Sequence, residues 1–75
     1  MEPLSEAMRL LRWQCELEEA IRRPGGIRVT EERELYLLRN NLQKYPAAVR
    51  AILEASRRLH RPVVALALQD IEAGQ

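Results

Sequence analysis

The sequence predicts an all-α fold, a small helical bundle of three to four helices, from three observations. Helix formers dominate the composition, above all Leu, Ala, Glu and Arg. The apolar residues recur with a helical rather than an alternating spacing. Three glycines and four prolines are too few for a β architecture with many turns. We therefore expect a single domain, 1–75, with a helical hairpin, 4–23 and 30–44, a third helix, 46–60, and a short C-terminal helix, 63–73.

The first predicted helix, 4–23, has an unusually wide apolar arc that covers about half of its circumference. The arc consists of Leu4, Ala7, Met8, Leu10, Leu11, Cys15, Leu17 and Ile21. This is wider than one antiparallel neighbour needs, and Trp13, the only tryptophan, lies at its edge. Apolar area beyond what a small monomer covers, with an aromatic residue beside it, is typical of protein interfaces.

The turn at 24–26 and the residues after it define the start of the second predicted helix. A proline followed by two glycines ends the first helix, and this spacing is not that of a phosphate-binding loop. Thr30 is the predicted N-cap, and the glutamates after it suit the positive end of the helix dipole. Leu35, Leu38, Leu42 and Tyr45 form a seam for one neighbour. Asn41 lies beside that seam, either half-exposed or buried as a residue that fixes the pairing register.

The third helix, 46–60, is predicted with almost no linker. Tyr45 precedes a proline, and Pro46 suits the first position of a new helix. Opposite the apolar side of this helix lies a row of arginines that we call the arginine stripe: Arg50, Arg57, Arg58 and Arg61. His60 is expected to project toward the apolar side, and Pro62 then ends the helix.

The C-terminal segment 63–73 is apolar almost all round and allows two interpretations. Its alanines, leucines and Gln69 favour a short helix. Alternatively, 63–68 is a strand that pairs with 27–29, since β-branched residues suit strands. A two-stranded ribbon alone is only marginally stable in water. We favour the helix because these residue types prefer it, and a strand or an arrangement exchanged between two chains is the alternative.

Charge is unevenly distributed, although the net charge is only +1. Residues 39–61 carry six basic side chains against one acidic side chain, a local charge of +5. Such a surface suits an acidic protein partner or, as the alternative, the phosphates of a nucleic acid. Base-reading side chains are missing beside the arginines, since Ser56 lies in the apolar arc, and this favours the protein partner.

Catalytic and metal-binding chemistry have little support in the sequence. Cys15 and His60 are the one nucleophile and base pair of note, but single residues of these types on apolar helix faces are usually packing residues. Zinc needs three or four ligands at characteristic spacings, and one Cys and one His do not supply them. We therefore expect no enzyme, no metal site and no cofactor.

Cys15 is the only cysteine, so no intramolecular disulfide stabilises the small core, and we expect a homodimer to complete it.

The expected location is the cytoplasm. No signal-peptide pattern opens the sequence, and the longest apolar run, 63–68, is too short to span a membrane.

The sequence thus predicts a small cytoplasmic protein-protein interaction module that acts as an adaptor, chaperone or regulator. The alternative is a small nucleic-acid-binding regulator that uses the basic face of residues 50–61. The expected partner-binding residues are Trp13, Leu10, Leu17, Arg50, Arg57, Arg58 and Arg61.

Overall fold

The computed structural model describes residues 2–73, and every regular element in that range is helical. The helices are α1 (Glu2–Ile21), α2 (Val29–Leu42), α3 (Pro46–Leu59) and α4 (Leu68–Ala73), with a 3-10 turn (Val63–Ala65) before α4. The prediction of a small all-α bundle is confirmed. The alternative strand at 63–68 is wrong, because this segment contains the 3-10 turn and the first residue of α4.

Helix α1 is the central element, and two apolar cores flank it. The α2-side core consists of Leu10, Leu17, Leu35, Leu38 and Leu42. The α3-side core consists of Ala7, Met8, Ile52, Ala55, Leu66 and Ile71. Helix α2 packs chiefly on α1. Helix α3, the 3-10 turn and α4 also pack on α1, and α3 additionally contacts the turn and α4.

These two cores explain the wide apolar arc of α1. Leu10 and Leu17 are buried against α2, while Ala7 and Met8 are buried against α3 and the C-terminal segment. The arc is wide because α1 has neighbours on two sides. Most of the arc is therefore covered within the chain, and Ile21 at its C-terminal end, 47% exposed, is the exception.

The predicted N-cap at Thr30 is wrong, since α2 begins at Val29 and Arg28 is its N-cap. The carboxylate of Glu31 accepts a hydrogen bond from the backbone N–H of Arg28 at 3.0 Å. It also accepts hydrogen bonds from the guanidinium groups of Arg23 and Arg28. A carboxylate three residues after the cap thus satisfies this amide and joins the end of α1 to the start of α2.

The end of α3 is a left-handed turn at His60, with φ 54° and ψ 41°. The backbone N–H of Arg61 donates to the carbonyl of Ser56 at 3.1 Å, which closes the helix in the manner of a Schellman motif. The expectation that His60 projects toward the apolar side is wrong. The reversed backbone leaves this side chain exposed.

The C-terminal segment is not the single helix 63–73 that the sequence predicts. Leu66 is extended, with φ −80° and ψ 154°, between the 3-10 turn and α4. The carboxylate of Asp70 accepts the N–H of Ala67 at 3.2 Å and so caps the start of α4. This break turns both Leu66 and Ile71 into the α3-side core, where each is almost completely buried.

Candidate protein-binding surfaces

Trp13 lies at the junction of two open grooves and is 38% exposed. The larger groove, of about 650 Å³, runs between α1 and the start of α4. The smaller groove, of about 210 Å³, runs between α1 and α2. We call the residues around the shared wall the Trp13 surface: Arg9, Arg12, Trp13, Leu37 and Leu68.

The Trp13 surface has an apolar floor and a charged rim. Met8 lies in the larger groove, and Leu10 and Leu38 lie in the smaller one, all three almost buried. Arg9 lines both grooves and is ion-paired with Glu6, and its hydrogen bond lowers the pKa of that carboxyl. An apolar floor with charges of both signs at its edge is the arrangement that protein partners use.

The arginine stripe is less uniform than the sequence predicts. Arg61 donates to the carboxylate of Asp70 at 3.1 Å and to the carbonyl of Ala65, so it holds the C-terminal segment on α3. Arg57 is paired with Glu54 at 3.3 Å. Arg50 and Arg58 form no ion pair with the side chains that the structure describes.

The middle of the stripe is apolar. Leu53 is 46% exposed and lies one helical turn from both Arg50 and Arg57. This face of α3 therefore has Leu53 at its centre and guanidinium groups on both sides of it. Arg61 is not free for a partner, because it is bonded to the C-terminal segment. The structure does not present a continuous row of four free arginines.

Two further predicted site residues are not available at the surface. Leu10 and Leu17 are 3% and 6% exposed, and both pack in the α2-side core. A partner would have to displace α2 to reach them. They position Trp13 by fixing α1 against α2.

Cys15 and His60 are not brought together as a catalytic pair. Cys15 is half-buried on α1, whereas His60 is exposed at the end of α3, and no hydrogen bond joins them within residues 2–73. Burial raises the pKa of the Cys15 thiol, and the charges of Glu18, Glu16 and Glu19 raise it further. A raised thiol pKa opposes formation of the nucleophilic thiolate.

A second exposed seam, on α2, is a feature that the sequence reasoning missed. Val29 is 79% exposed and Tyr36 is 65% exposed, and both lie on the side of α2 that faces away from α1. We call the row Val29, Arg33, Tyr36 and Asn40 the outer seam of α2. The spacing of four, three and four residues could have indicated this seam in the sequence. The leucines of the opposite side lie in the same stretch of α2 and give a stronger apolar pattern.

No helix within residues 2–73 is long and apolar enough to cross a lipid bilayer. The same range contains no group of three or more His, Cys, Asp or Glu side chains that could hold a metal ion. Comparison with known proteins gave no significant match to a family model, to a curated protein or to a solved structure.

Proposed function

We propose that this chain is a small cytoplasmic protein-protein interaction module, an adaptor, chaperone or regulator, that binds a partner through the Trp13 surface. The observation that carries the proposal is the position of Trp13 as the shared wall of two grooves. Tryptophan beside a pocket is the residue type that most often dominates the binding energy of an interface. Helices on both sides hold α1 in place, so the surface is ordered before binding.

The chemistry of the Trp13 surface indicates the kind of partner. The two grooves offer sites for large apolar side chains, one over Met8 and Leu68 and the other over Leu37 and Leu38. Arg12 at the rim forms no ion pair with the side chains that the structure describes, so it suits a carboxylate placed beside such anchors. The matching ligand is an amphipathic protein segment with two apolar anchors and flanking acidic residues.

The proposed mode of action is binding, not catalysis. Cys15 and His60 do not form a catalytic pair. The raised pKa of the Cys15 thiol gives the cysteine no nucleophilic advantage at neutral pH. The proposal involves no metal and no cofactor.

The experiment is capture of partners from the native cell with the purified chain as bait, repeated with a Trp13→Ala variant. Loss of a hot-spot tryptophan costs about 2 kcal/mol or more of binding energy, or about thirtyfold in affinity. Leu53→Ala is the matched control, because it removes a similarly exposed apolar side chain from α3. Leu37→Ala tests the smaller groove without changing the tryptophan.

The expected result is a partner that the unchanged chain and the Leu53→Ala variant retain and the Trp13→Ala variant loses, with all variants equally helical by circular dichroism. The emission of Trp13, the only tryptophan, should shift to the blue when the purified partner binds. A partner that binds all variants equally, with no change in emission, would place the function elsewhere on the molecule.

One observation supports the alternative of a nucleic-acid-binding regulator. Arg50 and Arg58 are exposed on α3 without a carboxylate partner among the described side chains, and Lys44 lies just before this helix. This alternative predicts duplex binding that weakens steeply with salt and falls in an Arg50→Ala, Arg58→Ala double variant. Absence of binding at low salt contradicts it.

A further inference from the structure

We infer that two copies of this chain pair antiparallel through the outer seam of α2. The inference rests on the proposed function, in that it names a second copy as one protein partner, but it uses a face of the molecule away from Trp13. Helix α2 packs chiefly on α1 through its leucines, so its outer side has no covering element within the described chain. That side carries the two most exposed large hydrophobic residues, Val29 and Tyr36.

The spacing of the seam determines the orientation of the pair. Val29, Arg33, Tyr36 and Asn40 follow one another at intervals of four, three and four residues, a pattern that reads the same in both directions. Antiparallel pairing about the middle of the seam therefore brings each Val29 to Asn40 of the second copy. It also brings each Arg33 to Tyr36 of the second copy, and a guanidinium over a tyrosine ring is favourable.

The charges beside the seam match the same register. Glu32 directly precedes Arg33 and Arg39 directly precedes Asn40, so both lie on the same flank of the seam. In an antiparallel helix pair this flank meets the same flank of the second helix, so each Glu32 faces Arg39 of the other copy. The dimer gains two equivalent opposite-charge pairs, related by its two-fold axis.

Parallel pairing lacks this complementarity. It places Arg33 against Arg33 of the second copy in the seam itself, where two like charges repel. It also places Arg39 near Lys44 of the other chain. The charge pattern therefore selects the antiparallel orientation.

Arg39 is already oriented for this role within one copy. Its guanidinium is 3.2 Å from the carboxylate of Glu18 on α1, and both side chains remain about half exposed. In the dimer it lies between Glu18 and Glu32 of the second copy, so little side-chain freedom is lost on pairing. Since α2 is only about 21 Å long, the pair is a weak dimer that forms between micromolar and millimolar concentrations.

The first experiment is sedimentation equilibrium across that concentration range with charge-reversed chains. The unchanged chain should show a monomer–dimer equilibrium, and the Glu32→Arg chain and the Arg39→Glu chain should each associate at least tenfold more weakly. An equimolar mixture of these two chains should associate again, because opposite charges then face each other at both contacts. Glu34→Arg is the control, as it reverses a charge on another side of α2 and should leave the dimer unchanged.

The second experiment measures orientation by disulfide formation, in chains that also carry Cys15→Ala. Antiparallel pairing predicts that a mixture of Val29→Cys and Asn40→Cys chains oxidises mainly to the mixed disulfide. A preference for disulfides between identical chains overturns the orientation. A monomer at every concentration, or no recovery in the charge-reversed mixture, overturns the dimer.

These results are separable from the Trp13 proposal. The Glu32→Arg chain keeps the whole Trp13 surface, so its capture of a Trp13-dependent partner can be tested while its self-association is lost. Conversely, Trp13→Ala should leave the monomer–dimer equilibrium unchanged within about twofold, since Trp13 lies outside the outer seam.

Discussion

The two cores beside α1 are closed in different ways. On the α3 side, α3, the 3-10 turn and α4 all pack on α1. The core residues Ile52, Leu66 and Ile71 on this side are at most 2% exposed. On the α2 side, a single helix supplies three leucines to a seam, and ion pairs at its edge, such as Glu18 with Arg39, add little. We therefore expect the α3 side to carry most of the stability, whereas α2 packs chiefly on one neighbour and its other side is open to a partner.

The largest effect is expected at the centre of the α3-side core. Ile52→Ala should lower the free energy of unfolding by about 4 kcal/mol, since surrounding elements fix the walls and the cavity cannot collapse. Urea denaturation followed by circular dichroism measures this loss. A loss of only about 1 kcal/mol would mean that the two cores do not differ as described.

The corresponding change on the other side is expected to be smaller and local. Leu38→Ala should cost about 2–3 kcal/mol, because α2 is free to move toward α1 and reduce the cavity. Native-state hydrogen exchange should show amides of α2 losing protection before those of α3. Equal loss of protection in both helices would show that α2 is not a separable unit.

The link at the start of α2 is expected to depend on pH. Hydrogen bonds from the backbone and side chain of Arg28 lower the pKa of Glu31 in the folded chain, and the charge of Arg23 adds to this. The stabilisation is therefore present above the ordinary glutamate pKa of about 4.3 and is lost as the pH falls through the lowered value. Glu31→Gln should lower the melting temperature at neutral pH by a few degrees.

The control for this change is Glu19→Gln, which alters an exposed glutamate with a weak pairing to Arg22. It should leave the melting temperature almost unchanged at every pH. If the two variants differ as much at pH 2 as at pH 7, the carboxylate of Glu31 is not responsible.

The smallest effect is expected at the end of α3, and its sign is the opposite. His60 adopts a left-handed conformation that glycine tolerates and most residues avoid. His60→Gly should therefore stabilise the chain by about 0.5–1 kcal/mol, after the greater flexibility of unfolded glycine is taken into account. His60→Val, with a branched side chain at the same position, should destabilise it, and thermal denaturation of the pair measures both.

Local features of the fold were predictable and pairings between helices were not. The ends of α1, α2 and α3 lie within about two residues of their predicted positions, since prolines and glycines act on neighbouring residues. The wide arc of α1 was also correctly recognised, but which elements cover it depends on contacts far apart in sequence. For that reason Leu10 and Leu17 were expected at a partner surface and are found in a core.

The candidate surfaces follow the same division. The position of Trp13 at the edge of an apolar arc could be read from helical spacing, and the structure adds the grooves on its two sides. The role of Arg61 could not be read, because it depends on a break at Leu66 that brings Asp70 within reach. The side chain of His60 does not lie where helical spacing predicts, because α3 ends one residue before its predicted end.

The central position of α1 has a consequence for the order in which the chain can fold. Synthesis delivers α1 before α2 and α3, and the face of α1 toward α3 is covered only when residues 46–71 have been made. At about 5–20 residues per second, that side stays uncovered for a few seconds, while the α2 hairpin can already have formed. Helix α1 can therefore acquire its core in two stages, first on the α2 side and then on the α3 side.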